Sequence, residues 1–147
     1  MDRPRRIAVR QSEEEPIMGS QENADLVRRG YAAFSAGDMA TLSSLFADDA
    51  VWNVPGSGSL SGAKKGREAI LGFFGELMSR SNGTVSVTVD DIVGGEEHTF
   101  GLSHNHAERG GNVLDQTAVL VFSVRDGQVT EVNEFFEDTT ASDAFWS

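Results

Sequence analysis

The spacing of the apolar residues changes near residue 80, and that switch leaves few folds open. Before it they recur at three or four positions, the period of helices; after it they recur at two, the period of strands. Leu26, Val27, Gly30, Tyr31 and Phe34 share one helical stripe, and Gly37 is placed to end a helix begun near Glu22. Asp38 is placed to cap a second helix running to about Phe46, with Leu42, Leu45 and Phe46 inward. A short strand, Ala50 to Val54, stops at Pro55 and the loop Gly56-Ser57-Gly58-Ser59-Leu60-Ser61-Gly62. A third helix, about Gly66 to Ser79, gathers Ile70, Phe73, Phe74, Leu77 and Met78 on one face, while Arg67 and Glu68 serve its start.

From Gly83 onward four strands follow: Val85, Val87 and Val89; then Phe100 and Leu102; then Ala118, Leu120, Phe122 and Val124; then Val132 and Phe136. Arg109-Gly110-Gly111-Asn112 and Arg125-Asp126-Gly127-Gln128 read as hairpin turns, so the last two long strands are antiparallel neighbours. Ala141 to Trp146 forms a short closing segment. The reading is an α+β fold, three N-terminal helices packed on the concave face of a curved antiparallel β-sheet. Such a cone is not filled to its wide end by its own side chains, which leaves a cavity as the default binding site.

Length and composition fix what this cone can be. The 147 residues suffice for one ordinary core, placed at 21–147. Residues 1–20 have charge blocks, two Pro and no aromatic, and are expected to be a flexible tail. No apolar run reaches the roughly 20 residues a membrane helix needs, and Met1 to Arg10 lacks a secretory apolar stretch, so a cytoplasmic protein is expected. The absence of cysteine removes disulfides, thiolate metal sites and cysteine nucleophiles. Net charge is −11, and since four Arg balance Asp2, Glu13, Glu14 and Glu15 in the tail, residues 21–147 carry all of it. Nucleic acid and anionic membranes are thereby repelled, and the expected partner is a small hydrophobic organic ligand.

Tyr31-Ala32-Ala33-Phe34-Ser35-Ala36-Gly37-Asp38, Leu45-Phe46-Ala47-Asp48-Asp49-Ala50-Val51-Trp52, Gly66-Arg67-Glu68-Ala69-Ile70 and Val124-Arg125-Asp126-Gly127-Gln128-Val129 together resemble the nuclear-transport-factor-2-like superfamily, in its SnoaL-like and ketosteroid-isomerase-like branch. The resemblance spans about residues 21–140. It implies a cystatin-like cone, a homodimer formed through the outer sheet face, and functions ranging from isomerases, dehydratases, epoxide hydrolases and polyketide cyclases to plain binding proteins. These motifs are caps, turns and core positions, so they specify fold far better than function.

The family's chemistries can be tested residue by residue. In an ungapped alignment the isomerase base falls on Val54, its tyrosine on Gly30 with Tyr31 adjacent, and its second aspartate near Leu120, so the usual ketosteroid isomerase set is absent. Trp52-Asn53-Val54-Pro55 and Glu134 partly resemble an epoxide hydrolase set, but Ser103, His104, Asn105 and His106 stand where its Arg-x-Asp would be. What remains resembles the SnoaL-like cyclases, which pair an acid/base carboxylate with a nearby histidine, and assigns Glu134, His104 and His106 as catalytic candidates.

Glu134 alternates with Val132 and Phe136 and shares their inward face, where burial raises a carboxyl pKa. His104 and His106 lie on one side of their strand; the pair offers a metal two ligands but no third, so no metal or other cofactor is expected. Their facing is open: Phe100 and Leu102 share their side, yet the family alignment turns Ser103 and Asn105 inward. The binding wall is read as Tyr31, Trp52, Asn53, Gln116, Leu120, Val132 and Phe136, with Trp52 preferred over Asn53 because consecutive strand residues face opposite ways. Gln116 shares parity with Ala118 and Leu120, which turns Asp115 outward. Phe34, Phe46, Phe73, Phe74 and Phe122 divide between core and wall. The functional expectation is an acid/base enzyme of cyclase, isomerase or hydrolase type, or alternatively a non-catalytic ligand-binding or accessory protein of the same fold.

Overall fold

A computed structural model of the protein describes residues 14–147, with side chains from residue 19 onward. Of the tail expected over residues 1–20, residues 1–13 lie outside the described residues and 14–20 belong to the first helix. Helix α1 spans Glu14–Ala36, beginning well before the expected Glu22. Pro16 falls in its first turn, where a missing N–H costs no helical hydrogen bond. Helix α2 (Met39–Leu45) follows, capped by Asp38, whose carboxylate accepts from Thr41 N at 3.1 Å and Thr41 Oγ1 at 2.6 Å. Strand β1 (Phe46–Val54), a short β2 (Gly62–Lys65) and helix α3 (Arg67–Arg80) come next. The long strands are β3 (Ser86–Gly94), β4 (Thr99–Arg109), β5 (Asn112–Arg125) and β6 (Gln128–Phe136), and helix α4 (Thr139–Trp146) closes the chain. No described helix is long and apolar enough to cross a membrane.

The six strands form one sheet in the order β2-β1-β6-β5-β4-β3. Both expected hairpins form: Gly110 and Gly111 have φ of 58° and 86°, and Asp126 and Gly127 of 53° and 77°, the doubly positive pattern of a two-residue hairpin loop. Three features differ from the sequence reading. β2, Gly-Ala-Lys-Lys, follows the Gly/Ser-rich loop and has no apolar alternation to reveal it. The closing segment is a full helix, capped by Asp138, which accepts from Ala141 N at 3.0 Å. The sheet is also not wholly antiparallel, because β6 lies between β5 and β1 and runs parallel to β1. A parallel pair needs a long crossover, supplied here by everything from β2 to β5, so no local signal marks it.

The helices cover the inner face. Ile70, Phe73 and Phe74 of α3 are buried against β1, and Arg67 fastens the start of α3 by donating to Phe46 O at 3.1 and 3.2 Å and pairing with Asp48 at 2.6 Å. α1 crosses β3 and β4 so closely that the Tyr31 phenol fills the place of a side chain at Gly101, where a Cβ would sit 2.3 Å from the phenol oxygen. A side chain is therefore poorly accommodated at this third residue of β4. Gly101→Ala should destabilise by about 1–3 kcal/mol through overpacking. The penalty should shrink markedly in a Tyr31→Leu background, as chemical denaturation of the four variants would reveal.

Candidate functional site

The inner face of the sheet, α1, α3, α4 and the loop around Pro55–Ser61 enclose a cavity of about 120 Å³, counted as the space open to the centre of a water molecule. On that measure it holds several waters, and its lining is predominantly apolar. One wall is an aromatic cluster: Trp52 meets Phe74 edge-on with ring centres 5.2 Å apart, and Phe73 and Phe46 lie at 6.1 and 6.2 Å.

Glu134 stands in this wall. β6 turns Val132, Glu134 and Phe136 inward, and the register sets Glu134 opposite Leu120 of β5. Glu134 is half-buried and lines the cavity, so the surface it keeps faces the hollow. Trp52 Nε1 donates to Glu134 Oε1 at 3.0 Å, its one hydrogen-bond donor among the described residues. Burial pushes the carboxyl pKa up to about 7, and the Trp52 hydrogen bond only partly opposes this. Near neutrality the group is poised between acid and base.

Tyr31 is the second polar group. Its side chain is buried and its oxygen, inaccessible to solvent, has no hydrogen-bond partner among the described residues. Burial raises the phenol pKa strongly and the nearby Glu134 charge adds to the rise; Ser103 lies close enough to offset a little without a hydrogen bond of good geometry. The phenol is thus a neutral donor. A one-residue offset from the isomerase tyrosine position, occupied by Gly30, does not remove Tyr31 from the cavity, since both residues line it.

Of the residues expected at the site, Glu134, Tyr31, Trp52, Gln116, Leu120 and Phe136 line one cavity. Val132 shares their face but is wholly enclosed in the core beneath it. Asn53 is on the outer face, where its Nδ2 donates to Asn133 Oδ1 at 2.8 Å and Glu131 Oε2 at 3.3 Å, so it holds no group inside the cone.

His104 and His106 are also outside, which corrects their pairing with Glu134. Ser103 pairs with Ala118 in the ladder and both are fully buried, so the alternation of β4 turns His104 and His106 outward. His106 borders the wide end of the cavity, but its ring is held on the far side, Nδ1 to Asp115 Oδ2 and Nε2 to Glu108 Oε2, each 3.1 Å. His104 also pairs with Asp115. The hydrogen bonds to Glu108 and then Asp115 raise the His106 pKa, and that from His106 lowers Asp115. Phe100 and Leu102, whose apolarity argued for the opposite facing, are exposed at 41% and 39%.

The rim carries no signal in the sequence. Ser59, Ser61, Asp143 and Trp146 border the cavity, and Asp143 accepts from Ser57 N at 2.9 Å and Ser61 Oγ at 3.2 Å. Arg80 ties the same loop to the C-terminus by donating to Ser59 Oγ at 2.7 Å and Trp146 O at 2.8 Å. Nothing in the spacing of these residues marks them, since they meet only because α4 folds back over the mouth.

An α+β cone with a curved mixed sheet over an apolar cavity is the cystatin-like, nuclear-transport-factor-2-like fold. Residues 27–132 match the SnoaL-like domain family, and the chain is a member of it. An uncharacterised protein of Mycobacterium tuberculosis is 34% identical over 131 residues, 88% of this chain and all of that one. The structure of Bal32a, from a soil-derived mobile gene cassette, superposes with a TM-score of 0.85 at 40% identity over 87% of this chain and 98% of its own. A Xanthomonas campestris protein of unknown function with a cystatin-like fold gives 0.80 at 31% identity, over 84% and 96% of the chains. A Jannaschia protein described as a SnoaL-like polyketide cyclase on the strength of its family shares the fold, with a TM-score of 0.71 at 16% identity over 86% and 93%.

The Glu134 pKa has a stability consequence. The folded-state value, about 7, lies above the 4.5 of a free glutamate side chain, so between them the folded protein holds the proton more tightly. The stability this group contributes is full below the lower value and is lost as pH rises through the upper one, a change of about 3 kcal/mol. Glu134→Gln keeps an acceptor for Trp52 and removes the titration. Compared by urea denaturation, the variant should gain on the wild type from pH 5 to pH 8, with the two converging at the acid end.

Proposed function

We propose that this protein binds a small, largely apolar organic molecule in the cone and uses Glu134 to move a proton at a carbon next to a carbonyl. The observation that carries this reading is Glu134 itself, a carboxyl titrating at about 7 on the wall of an apolar cavity. Ionised, it takes the C–H proton; protonated, it returns that proton to another position, as cyclase- and isomerase-type reactions require. Tyr31 is the candidate donor to the oxyanion that forms, because its phenol is neutral and unpartnered. The polyketide cyclase named among proteins of this fold supports the reaction class.

The test is hydrogen–deuterium exchange of 2-tetralone in D2O, followed by NMR. The wild type should accelerate exchange with a pH profile rising through about pH 7, Glu134→Gln should lose about 10²–10⁴-fold, and Tyr31→Phe should lose less. The alternative is a non-catalytic binding or accessory protein. It is favoured by Val54 at the usual base position and by histidines turned outward, and it stands if Glu134→Gln exchanges the ketone as fast as the wild type.

We also infer a homodimer through the outer sheet face. There Val93, Phe100 and Val121 form one row across β3, β4 and β5, and Leu102, Val119 and Phe135 a second across β4, β5 and β6. Phe135 and Val93 are more than half exposed, an apolar surface of the kind that marks association. Light scattering after size exclusion should find two copies for the wild type and one for Phe135→Glu. With −11 on residues 21–147, neither nucleic acid nor an anionic membrane is a partner in this reading.

A further inference from the structure

A second reactive group stands beside the rim, apart from the residues that line the cavity. We propose that Lys64 is an amine that condenses with a small 2-oxo carboxylate, its Nζ bonding the carbonyl carbon while Arg80 pairs with the carboxylate. This site is independent of Glu134 and of whatever the cavity binds. The sequence has only two lysines, Lys64 and Lys65, neighbours on β2. Lys64 pairs with Trp52 in the β1–β2 ladder and shares its inner side of the sheet, whereas Lys65 pairs with Val51 and is exposed. The half-buried Lys64 lays its Nζ over the Phe73 ring, 5.4 Å from the ring centre, and donates to Ser61 O at 3.4 Å.

The surroundings of this amine are positive. Among the described residues no carboxylate forms an ion pair with Lys64. Arg80 reaches the same loop from α3, donating to Ser59 Oγ two residues from the Ser61 carbonyl that Lys64 holds. The nearby acids are engaged elsewhere: Glu76 accepts from Arg80 Nε at 2.8 Å, and Asp143 accepts from Ser57 N and Ser61 Oγ. Two neighbouring cations without an acid for Lys64 are relieved when the amine loses its proton or when an anion arrives. Burial, and after it the Arg80 charge, lower the Lys64 pKa, which leaves more of the amine neutral and nucleophilic. A 2-oxo carboxylate meets both conditions. The neutral amine attacks the carbonyl carbon, the carbinolamine loses one water, and a C=N bond replaces C=O with no change of oxidation state. The carboxylate keeps its charge for the Arg80 guanidinium, whose Nη2 makes no hydrogen bond among the described residues.

The experiment treats the whole protein with glyoxylate or with uncharged propionaldehyde, traps imines with cyanoborohydride, and follows labelling of Lys64 and Lys65 by tandem mass spectrometry. Lys65 serves as the exposed reference within the same molecule. In the wild type glyoxylate should label Lys64 at least about tenfold faster than Lys65, and propionaldehyde should show a preference of about threefold or less. Arg80→Met should bring the glyoxylate ratio within about twofold of unity, while Arg80→Lys, which keeps a cation, should retain most of it. Circular dichroism checks that both variants fold, and the comparison of the two aldehydes needs only the wild type. Equal labelling of the two lysines by glyoxylate would overturn the site. A preference as large for propionaldehyde as for glyoxylate, or one that survives Arg80→Met, would overturn the pairing of Arg80 with the carboxylate and with it the 2-oxo carboxylate class. Either failure leaves the reading of Glu134 and the cavity as it stands.

Discussion

A carboxyl group held in an aromatic wall by one indole N–H is the constraint on which the rest of the site depends. Burial penalises the Glu134 charge, and one neutral donor does not repay that penalty, which is why the proton leaves only near neutrality. A second strong donor or a nearby cation would hold the group ionised as an ordinary carboxylate; no donor would leave it a neutral acid. The intermediate state comes from topology. β6 runs parallel to β1, and Trp52 pairs with Val132, two residues before Glu134, so the indole reaches along the sheet to the acid. Phe46, Phe73 and Phe74 then fix the indole ring from three sides.

How much of this was legible before the structure follows from which features are local. The change of period, the caps at Asp38 and the two hairpin turns are properties of a few neighbouring residues, and each formed where the spacing put it. Glu134's inward face was legible for the same reason, since Val132 and Phe136 flank it at a period of two. The facing of His104 and His106 was not. Phe100 and Leu102 suggested that their side was interior, whereas the interior of β4 is made of Gly101, Ser103 and Ala107, small residues that carry little signal. The alternation rule assumes one apolar face, and a sheet with apolar groups on both faces defeats it. β2, the parallel pairing of β1 with β6, and the meeting of Asp143 with the Ser57–Ser61 loop all depend on distant segments, which spacing cannot register.

The inward-facing residues of β4 and β5 explain why the cone stays hollow. Ser103 and Ala107 put only small side chains against the cavity, while the place of a side chain at Gly101 is taken by the Tyr31 phenol of α1. The large groups of β4 lie on the other side, where Phe100 and Leu102 are exposed. Leu120, Phe122 and the α3 aromatics supply the bulk around the cavity, and the edge-to-face packing of Trp52 and Phe74 resists collapse into the space beside it. The volume a solid core would need is thus displaced to the convex surface, where it helps form the apolar rows that suit a second copy. Cavity and exposed patch are two results of one alternation, so a substitution that enlarged an inner residue of β4 would fill the site without weakening the outer face. Enlarging an outer one would alter association and leave the pocket as it is.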